Sequence, residues 1–574
     1  MPIFTTTMVD ATVSCHVNNP IFPKRFGALA STTLHDYPQK SGEKRKLSHL
    51  QTSDRTMRIA GVLCTLYALF LCPSVVESLA QRRPIRRVAV VGSGVAGLSL
   101  AQALTNSPTL RKSYSMDDDD DKSNNNNFEV SIFDARSKLD TTAGAGIQLN
   151  GGLNVLGRIN PAVQRAVMEA GLPVTGVQSR AKPWNPEKNP FDTLLQLDLR
   201  QVVEKAGAQD ELIQNGDLLW TSIMRGALQQ TLVDTLPADT QKKMQFNKSL
   251  TNLIQQDDGS IVCEFADGSQ VGPFDLVVGC DGVKSACKEF IERGRISKDA
   301  SEREGSSVAL YSGIRIKYAV KDGDSKQDQD SSAVLSQYFG DGAYCLDGTY
   351  GAGKGKPNTK CAFLIALDED YIGPFKKKEG KSVEEKAGEN ADWSQDVRRD
   401  LADTQNKMLK DVKRTGVPDL DVGPTVSSAD RFFELGVYFH NPFSFAGWSK
   451  PVAGPDSALM VLCGDAAHTM PPFLGQGSNQ AIQDAYCLAD KLYQYNNAVA
   501  AGNDSVSLSQ LIKEYEKVRW PATFNIFWKS LFLGYLETGG TDGIVSKFRD
   551  VFFKTMGIVG VAQRVLLSAA IPKV

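Results

Sequence analysis

Histidine is scarce: only five occur in 574 residues (His16, His35, His49, His440 and His468), and three of them precede residue 84. That scarcity argues against a histidine-built metal centre. The ten cysteines form no CxxC pair and keep no regular spacing, which speaks against a zinc site, a thioredoxin-like motif or a disulfide scaffold. Charge of one sign is also lacking. The 64 Lys and Arg against 66 Asp and Glu leave a net charge of −2, without the basic excess of a nucleic-acid binder. An apolar run from Ile59 to Cys72 falls short of the roughly 20 residues that span a bilayer.

That run belongs to a leader. From Met57 to Ala80 the order is a basic residue (Arg58), an apolar stretch, Pro73 and then small residues, which is the order of a signal peptide. The 56 residues before it are rich in Ser and Thr, and their acids are outnumbered by Lys and Arg, as in a transit peptide. Three readings stand: a start at Met57, an organelle address with a weak anchor, or a disordered tail with an interfacial helix. The leader is assigned to residues 1–83, with its apolar segment at 57–80.

Beyond the leader, RRVAVVGSGVAGLSLAQAL (86–104) sets an apolar strand against a helix, with Gly92, Gly94 and Gly97 between them. This is GxGxxG in the context it needs. The first glycine permits the tight turn, the second lets backbone approach a pyrophosphate, and the third allows close helix–strand packing. The acid that ends the second strand and would hold ribose hydroxyls is Asp134, closing FEVSIFD. It arrives later than the usual 20 or so residues. A polar insertion at 111–127, with five consecutive Asp and four consecutive Asn, accounts for the delay and reads as a solvated loop rather than a metal site.

Two further stretches repeat the pattern of an apolar strand running into a glycine and an acid. FDLVVGCDGVKSACK (274–288) carries Asp281 and Gly282, and ALMVLCGDAAHTMPPFLGQGSNQAIQDAYCLADKL (458–492) carries Gly464, Asp465, Gly475 and Gly477. A carboxylate at a strand end accepts hydrogen bonds from ribose or ribitol, and a glycine-flanked helix N-terminus offers N–H groups to an anion.

Together, GSGVAG, CDGVKS and GDAAHTMPPFLGQGSNQAIQDA resemble, in order and spacing, the three signature stretches of class A FAD-dependent monooxygenases. The likeness runs from about Arg86 to Arg519. GAGIQLNGGLNVL (144–156) is similar to the family's segment beside the flavin. Arg225 with Leu228 is similar to its R-x-x-L helix, whose arginine reaches FAD, and Tyr515 with Arg519 to a Y-x-x-x-R helix. Cys280 and Lys288 depart from the family's usual Ala and Arg.

The resemblance implies an α/β fold: a Rossmann-type FAD-binding domain interleaved with a mixed β-sheet substrate domain and followed by C-terminal helices. The first FAD-binding part is expected at 84–307, the substrate sheet with a helical insert (376–411) at 308–445, the GD motif and its helices at 446–523, and apolar helices at 524–574. The resemblance implies cofactor contacts at Gly92, Gly94, Gly97, Asp134, Arg225, Asp281, Gly282, Gly464, Asp465, Gly475 and Gly477, and no metal. It implies FAD reduced by transiently bound NAD(P)H, with O2 as co-substrate captured as a flavin C4a-hydroperoxide. It singles out no catalytic side chain, and His468, in the GDAAH turn, reads as structural.

AVMEAGLPVTG (166–176) and TSIMRGALQQTL (221–232) resemble the zeaxanthin epoxidases of plastids, a branch of the same family. That likeness implies epoxidation of a lipophilic alkene in a plastid, with NADPH or a ferredoxin-type partner as electron donor; the apolar C-terminus with interspersed Lys and Arg reads either as a peripheral membrane contact, which would suit such a substrate, or as helices that cap the core. The rival expectations are an aromatic hydroxylase of the salicylate or kynurenine kind, or a non-catalytic binding protein like the GDP-dissociation inhibitors. The location alternative is the secretory route or another organelle.

Overall fold

The computed structural model describes residues 83–114, 127–139, 144–297, 309–323, 332–367, 401–416, 422–454, 457–539 and 544–574. The leader (within 1–82), nearly all of the polar insertion and the first part of the helical insert lie outside the described residues.

A six-stranded sheet forms where the sequence has its short apolar runs. Four parallel strands stand side by side in the order Leu459–Leu462, Leu276–Gly279, Arg87–Val91 and Glu129–Phe133; Ser449–Pro451 joins antiparallel at one edge and Met244–Gln245 closes the other. The central strands are buried on both faces, which is why they read as unbroken Val, Ile and Leu rather than as alternation. Helix Val95–Thr105 follows the first strand and is buried along its whole length. Against it packs the long helix Gly477–Ala500, which the period of Ala481, Ile482, Ala485, Leu488, Ala489 and Leu492 foretells.

The second sheet is wider than its expected span. Strands Leu310–Lys321, Ala333–Phe339, Ala343–Tyr350, Thr359–Leu367 and Arg431–Phe439 lie within 308–445, but Gly146–Leu149, Leu172–Ala181, Asp192–Asp198 and Thr221–Met224 join the same nine-stranded sheet. The link is a parallel pairing of Leu172–Ala181 with Ala333–Phe339, a contact between residues about 160 apart that no local pattern announces. One face of this sheet buries Ala319, Tyr338, Ala362 and Leu364 under helices Leu401–Thr415 and Val422–Ser427. The other face, with Tyr318, Tyr350 and Phe363, is continuous with the core of the first sheet.

The boundary placed at 523/524 does not exist as a break. Helix Leu508–Thr538 runs through it for 31 residues, with Pro521 inside. Helices Ile544–Ile558 and Val561–Ala570 complete the chain.

Candidate functional site

Because the four central strands are parallel, their carboxyl ends lie along one edge, the place where open α/β sheets bind ligands. Register sharpens the point: Val91 pairs with Gly279 and with Phe133, and Gly279 pairs with Leu462. Gly464-Asp465, Asp281-Gly282, Gly92 and Asp134 therefore follow one another along that edge, although strands Arg87–Val91 and Leu459–Leu462 lie far apart in sequence.

Most of the glycines are explained by the polypeptide itself. Gly92 has φ +109° and a Cβ there would stand 2.3 Å from the Cys280 carbonyl oxygen; at Gly97 a Cβ would stand 2.0 Å from the Gly92 oxygen. Gly464 has φ +66° and faces the Ala96 methyl. Gly282 and Gly475 also have positive φ. Gly94 and Gly477 differ. Gly94 has φ −74°, and a Cβ on it would meet nothing within 4 Å. A Cβ on Gly477 would have Asp465 Oδ1 as its nearest neighbour, at 3.8 Å. Each stands at the start of a helix whose first N–H groups are capped by no side chain. Open space before uncapped helix N-termini is what an anion needs.

The carboxylates divide into committed and uncommitted. Among the described residues the Asp465 side chain has no hydrogen-bond or ion-pair partner, and it sits beside Gly477, ready for a ligand hydroxyl. Asp134 is buried and accepts from Ser93 N–H (2.9 Å), Ser93 Oγ (2.6 Å) and Arg136. Burial pushes its pKa up, but the hydrogen bonds of Arg136 and Ser93 outweigh that and hold it below the usual carboxylate range. Asp281, expected to serve the cofactor, spends its carboxylate on its own turn. It accepts from Ser285 Oγ (2.5 Å) and the Cys287 N–H (3.1 Å), and burial pushes its pKa up. Its backbone supports the site instead, since the Asp281 Cα lies against Gly92.

Arg225 opens helix Arg225–Asp234 with its side chain exposed and, among the described residues, without an ion pair. Its methylenes lie 3.2 Å from where a Cβ on Gly144 would be, and Gln229 of the same helix donates to the Ser93 carbonyl (3.2 Å). A free guanidinium is thereby tied to the fingerprint loop.

Behind the edge is a buried ionic hub. Asp484 is wholly buried; its Oδ1 accepts from Arg519 Nε (2.7 Å), and its Oδ2 from the Gly464 N–H (3.0 Å), with His468 Nε2 2.5 Å away. Burial pushes its pKa up, and the charges and hydrogen bonds of His468 and Arg519 outweigh that and hold it down. Tyr515 donates to the Leu462 carbonyl at the end of the same strand (3.0 Å). His468 thus fixes the GD turn. Sequence reasoning did not isolate Asp484, nor Asn479, whose Oδ1 accepts from the Asn150 and Gly152 N–H groups and whose amide donates to the Gln148 carbonyl. Both lie inside the GQGSNQAIQDA stretch, but their partners are remote in sequence, and only the motif as a whole carried a signal.

Flavin adenine dinucleotide fits this donor set. Gly94, Gly477 and Arg225 suit a pyrophosphate or an electron-rich ring and Asp465 suits a polyol, while the Asp134 carboxylate, like that of Asp281, is already engaged, by Ser93 and Arg136. The Gln476 side-chain oxygen, at the entry of the long helix, is buried without a partner among the described residues.

Comparison with known proteins agrees. The FAD binding domain family matches residues 458–522. A salicylate hydroxylase of Pseudomonas putida is 25% identical over 454 residues, covering 77% of this chain and 82% of its own. An FAD-dependent monooxygenase of Gibberella moniliformis is also 25% identical, over 76% of this chain and 83% of its own. In structure, Klebsiella pneumoniae HpxO, solved with FAD and uric acid, superposes with a TM-score of 0.55 at 17% identity, covering 84% of this chain and 97% of that one, a likeness of fold. The chain thus carries the sequence of an FAD binding domain and is similar, at low identity over most of its length, to FAD-dependent monooxygenases.

Proposed function

We propose that this enzyme uses NAD(P)H and O2 to hydroxylate a small aromatic substrate, as its salicylate hydroxylase relative does by name. The observation that carries the reading is a relationship to that enzyme over 77% of this chain and 82% of its own, joined to a cluster of aromatic side chains on the sheet face that is continuous with the core of the first sheet. There Tyr318 stacks on Phe433 at 4.8 Å and on Phe363 at 5.7 Å, and Tyr350 stands edge-on to Phe363 and covers Gly146 of the segment beside the flavin. These rings are buried against one another in the core beside that segment, which gives the neighbouring site an aromatic surround. Bound FAD would supply electron transfer and O2 activation; the chain would supply binding, orientation and exclusion of water.

A second reading, epoxidation of a lipophilic alkene such as zeaxanthin, is supported by the stretches 166–176 and 221–232 and by the apolar C-terminal surface described below. It needs no phenolate-forming base, in keeping with a site where both described histidines are engaged, His440 with the Val283 carbonyl and His468 with Asp484. With it go a plastid address and a ferredoxin-type donor.

One experiment separates the readings. NADPH oxidation by the purified yellow protein is followed with hydroxybenzoates and aminophenols, and with zeaxanthin in lipid with and without a reduced ferredoxin, and product oxygen is traced from labelled O2. Label in a phenolic product supports the hydroxylase. Turnover confined to the carotenoid replaces it by the epoxidase, and a protein that cannot be loaded with FAD overturns both.

A further inference from the structure

We propose that the C-terminal helices form a docking face for an anionic lipid surface, on which the enzyme lies without crossing it. On helix Leu508–Thr538 the core-facing residues Tyr515, Arg519, Ile526, Ser530 and Glu537 are buried. Trp520, Phe524, Trp528, Phe532 and Tyr535, spaced by four, four, four and three, form an opposite stripe. Phe532 is 58% exposed, although Ser and Lys would cost nothing there. The stripe is continuous with its neighbours: Phe443 meets Phe524 at 5.7 Å and Trp528 at 6.1 Å, and Phe532 meets Phe552 of the next helix at 6.3 Å. That helix adds Ile544 and Phe548, 75% and 66% exposed. A contiguous apolar patch of this kind on a folded protein marks an interaction site.

Charge selects the partner. Among the described residues of 524–574 the only acids, Glu537 and Asp550, are buried at 3% and 4% exposure, whereas Lys547 and Lys554, on the helix that carries Ile544 and Phe548, are exposed. The face therefore offers aromatic rings and positive charge together, the composition of a helix that rests in the headgroup region of an anionic leaflet. A second copy is a poor match, because a two-fold contact would set lysine against lysine. Spanning is also excluded for the described helices singly: none is long and apolar enough, and the pair Ile544–Ile558 and Val561–Ala570 reaches that length only across a 77° bend. The end of the chain is moreover engaged elsewhere, with the Lys573 carbonyl accepting from Arg519 (2.5 Å) and the Ala570 carbonyl pressed against Gly151.

The proposal holds whichever substrate the site takes. Full-length FAD-loaded protein is floated with phosphatidylcholine vesicles, with and without phosphatidylglycerol, beside the variants Phe532→Glu/Phe548→Glu and Lys547→Glu/Lys554→Glu. All four positions lie outside the cofactor site, so flavin absorbance and basal NADPH oxidation should be unchanged. The wild type should float with the anionic vesicles and be released as salt rises from about 0.1 M to about 0.5 M. Each variant should lose on the order of tenfold or more in affinity. Wild-type protein left in the buffer overturns the proposal. So does a variant that floats as well as the wild type, which would assign binding to the leader, or a wild-type dimer that the first variant dissolves.

Discussion

A glycine with positive φ accounts for itself, because an L side chain rarely adopts that backbone. Gly92, Gly464 and Gly475 are of this kind. Gly94 and Gly477 have neither the dihedral nor a crowding neighbour, so the requirement for glycine comes from outside the polypeptide. This leads to a sharp expectation. Gly94→Val should fold and melt like the wild type, since its Cβ meets nothing, yet weaken FAD by on the order of tenfold or more. Flavin absorbance per protein, read beside the circular-dichroism melting curve, tests it; a normally yellow variant would remove Gly94 from the site. Asp281 teaches the converse. An acid at a strand end reads as a ligand contact in sequence, but Ser285 and Cys287, four and six residues on, take both of its oxygens.

At the level of elements, Asp484 couples three of them: the long helix Gly477–Ala500 that bears it, the GD turn through Gly464 and His468, and helix Leu508–Thr538 through Arg519. Arg519 is fully buried, so removing its partner leaves a charge uncompensated. Asp484→Asn should cost about 3–5 kcal/mol of stability, measured by urea unfolding at neutral pH. The pH dependence follows from the depressed carboxyl. Its contribution is complete above the unfolded value of about 3.9 and is lost as pH falls through the lower folded value. The variant should therefore show a shallower loss of stability on the acid side. A wild-type-like unfolding midpoint would mean that Arg519 finds another counter-charge.

At the scale of the whole molecule, the C-terminal helices are fastened to the nine-stranded sheet through a polar cluster inside an apolar contact. Glu537 is fully buried beside Tyr344; burial pushes its pKa up to about 8, and one of its oxygens lacks a partner, as a protonated acid tolerates. Arg549 covers Phe339 at 5.1 Å and donates to the Gly340 carbonyl (2.8 Å). A folded pKa above the unfolded 4.5 means that the native state holds the extra proton. Stability from this group is complete below about pH 4.5 and is lost as pH rises through about 8. Glu537→Gln keeps the hydrogen-bonding capacity without the charge. It should flatten the decline between those limits and make the protein more stable than wild type on the alkaline side, as chemical denaturation across the window would report. An unchanged slope would place the proton elsewhere.

Sequence alone determined the local units. The strand–glycine–helix of residues 86–104, the Gly-Asp turn at 464–465 and the period of the long helix are all short-range patterns, because turn sterics and one-sided burial act within a few residues. Tertiary structure decided what those units face. It brought the carboxyl ends of four strands to one edge, drew Leu172–Ala181 and Thr221–Met224 into the second sheet, and joined Asp484 to Arg519 across 35 residues and Asn479 to Asn150 across 329. It also set the aromatic stripe of helix Leu508–Thr538 outward. An apolar period in the sequence reads the same whether the face meets a core or a lipid surface, and only the packing of neighbouring elements tells the two apart.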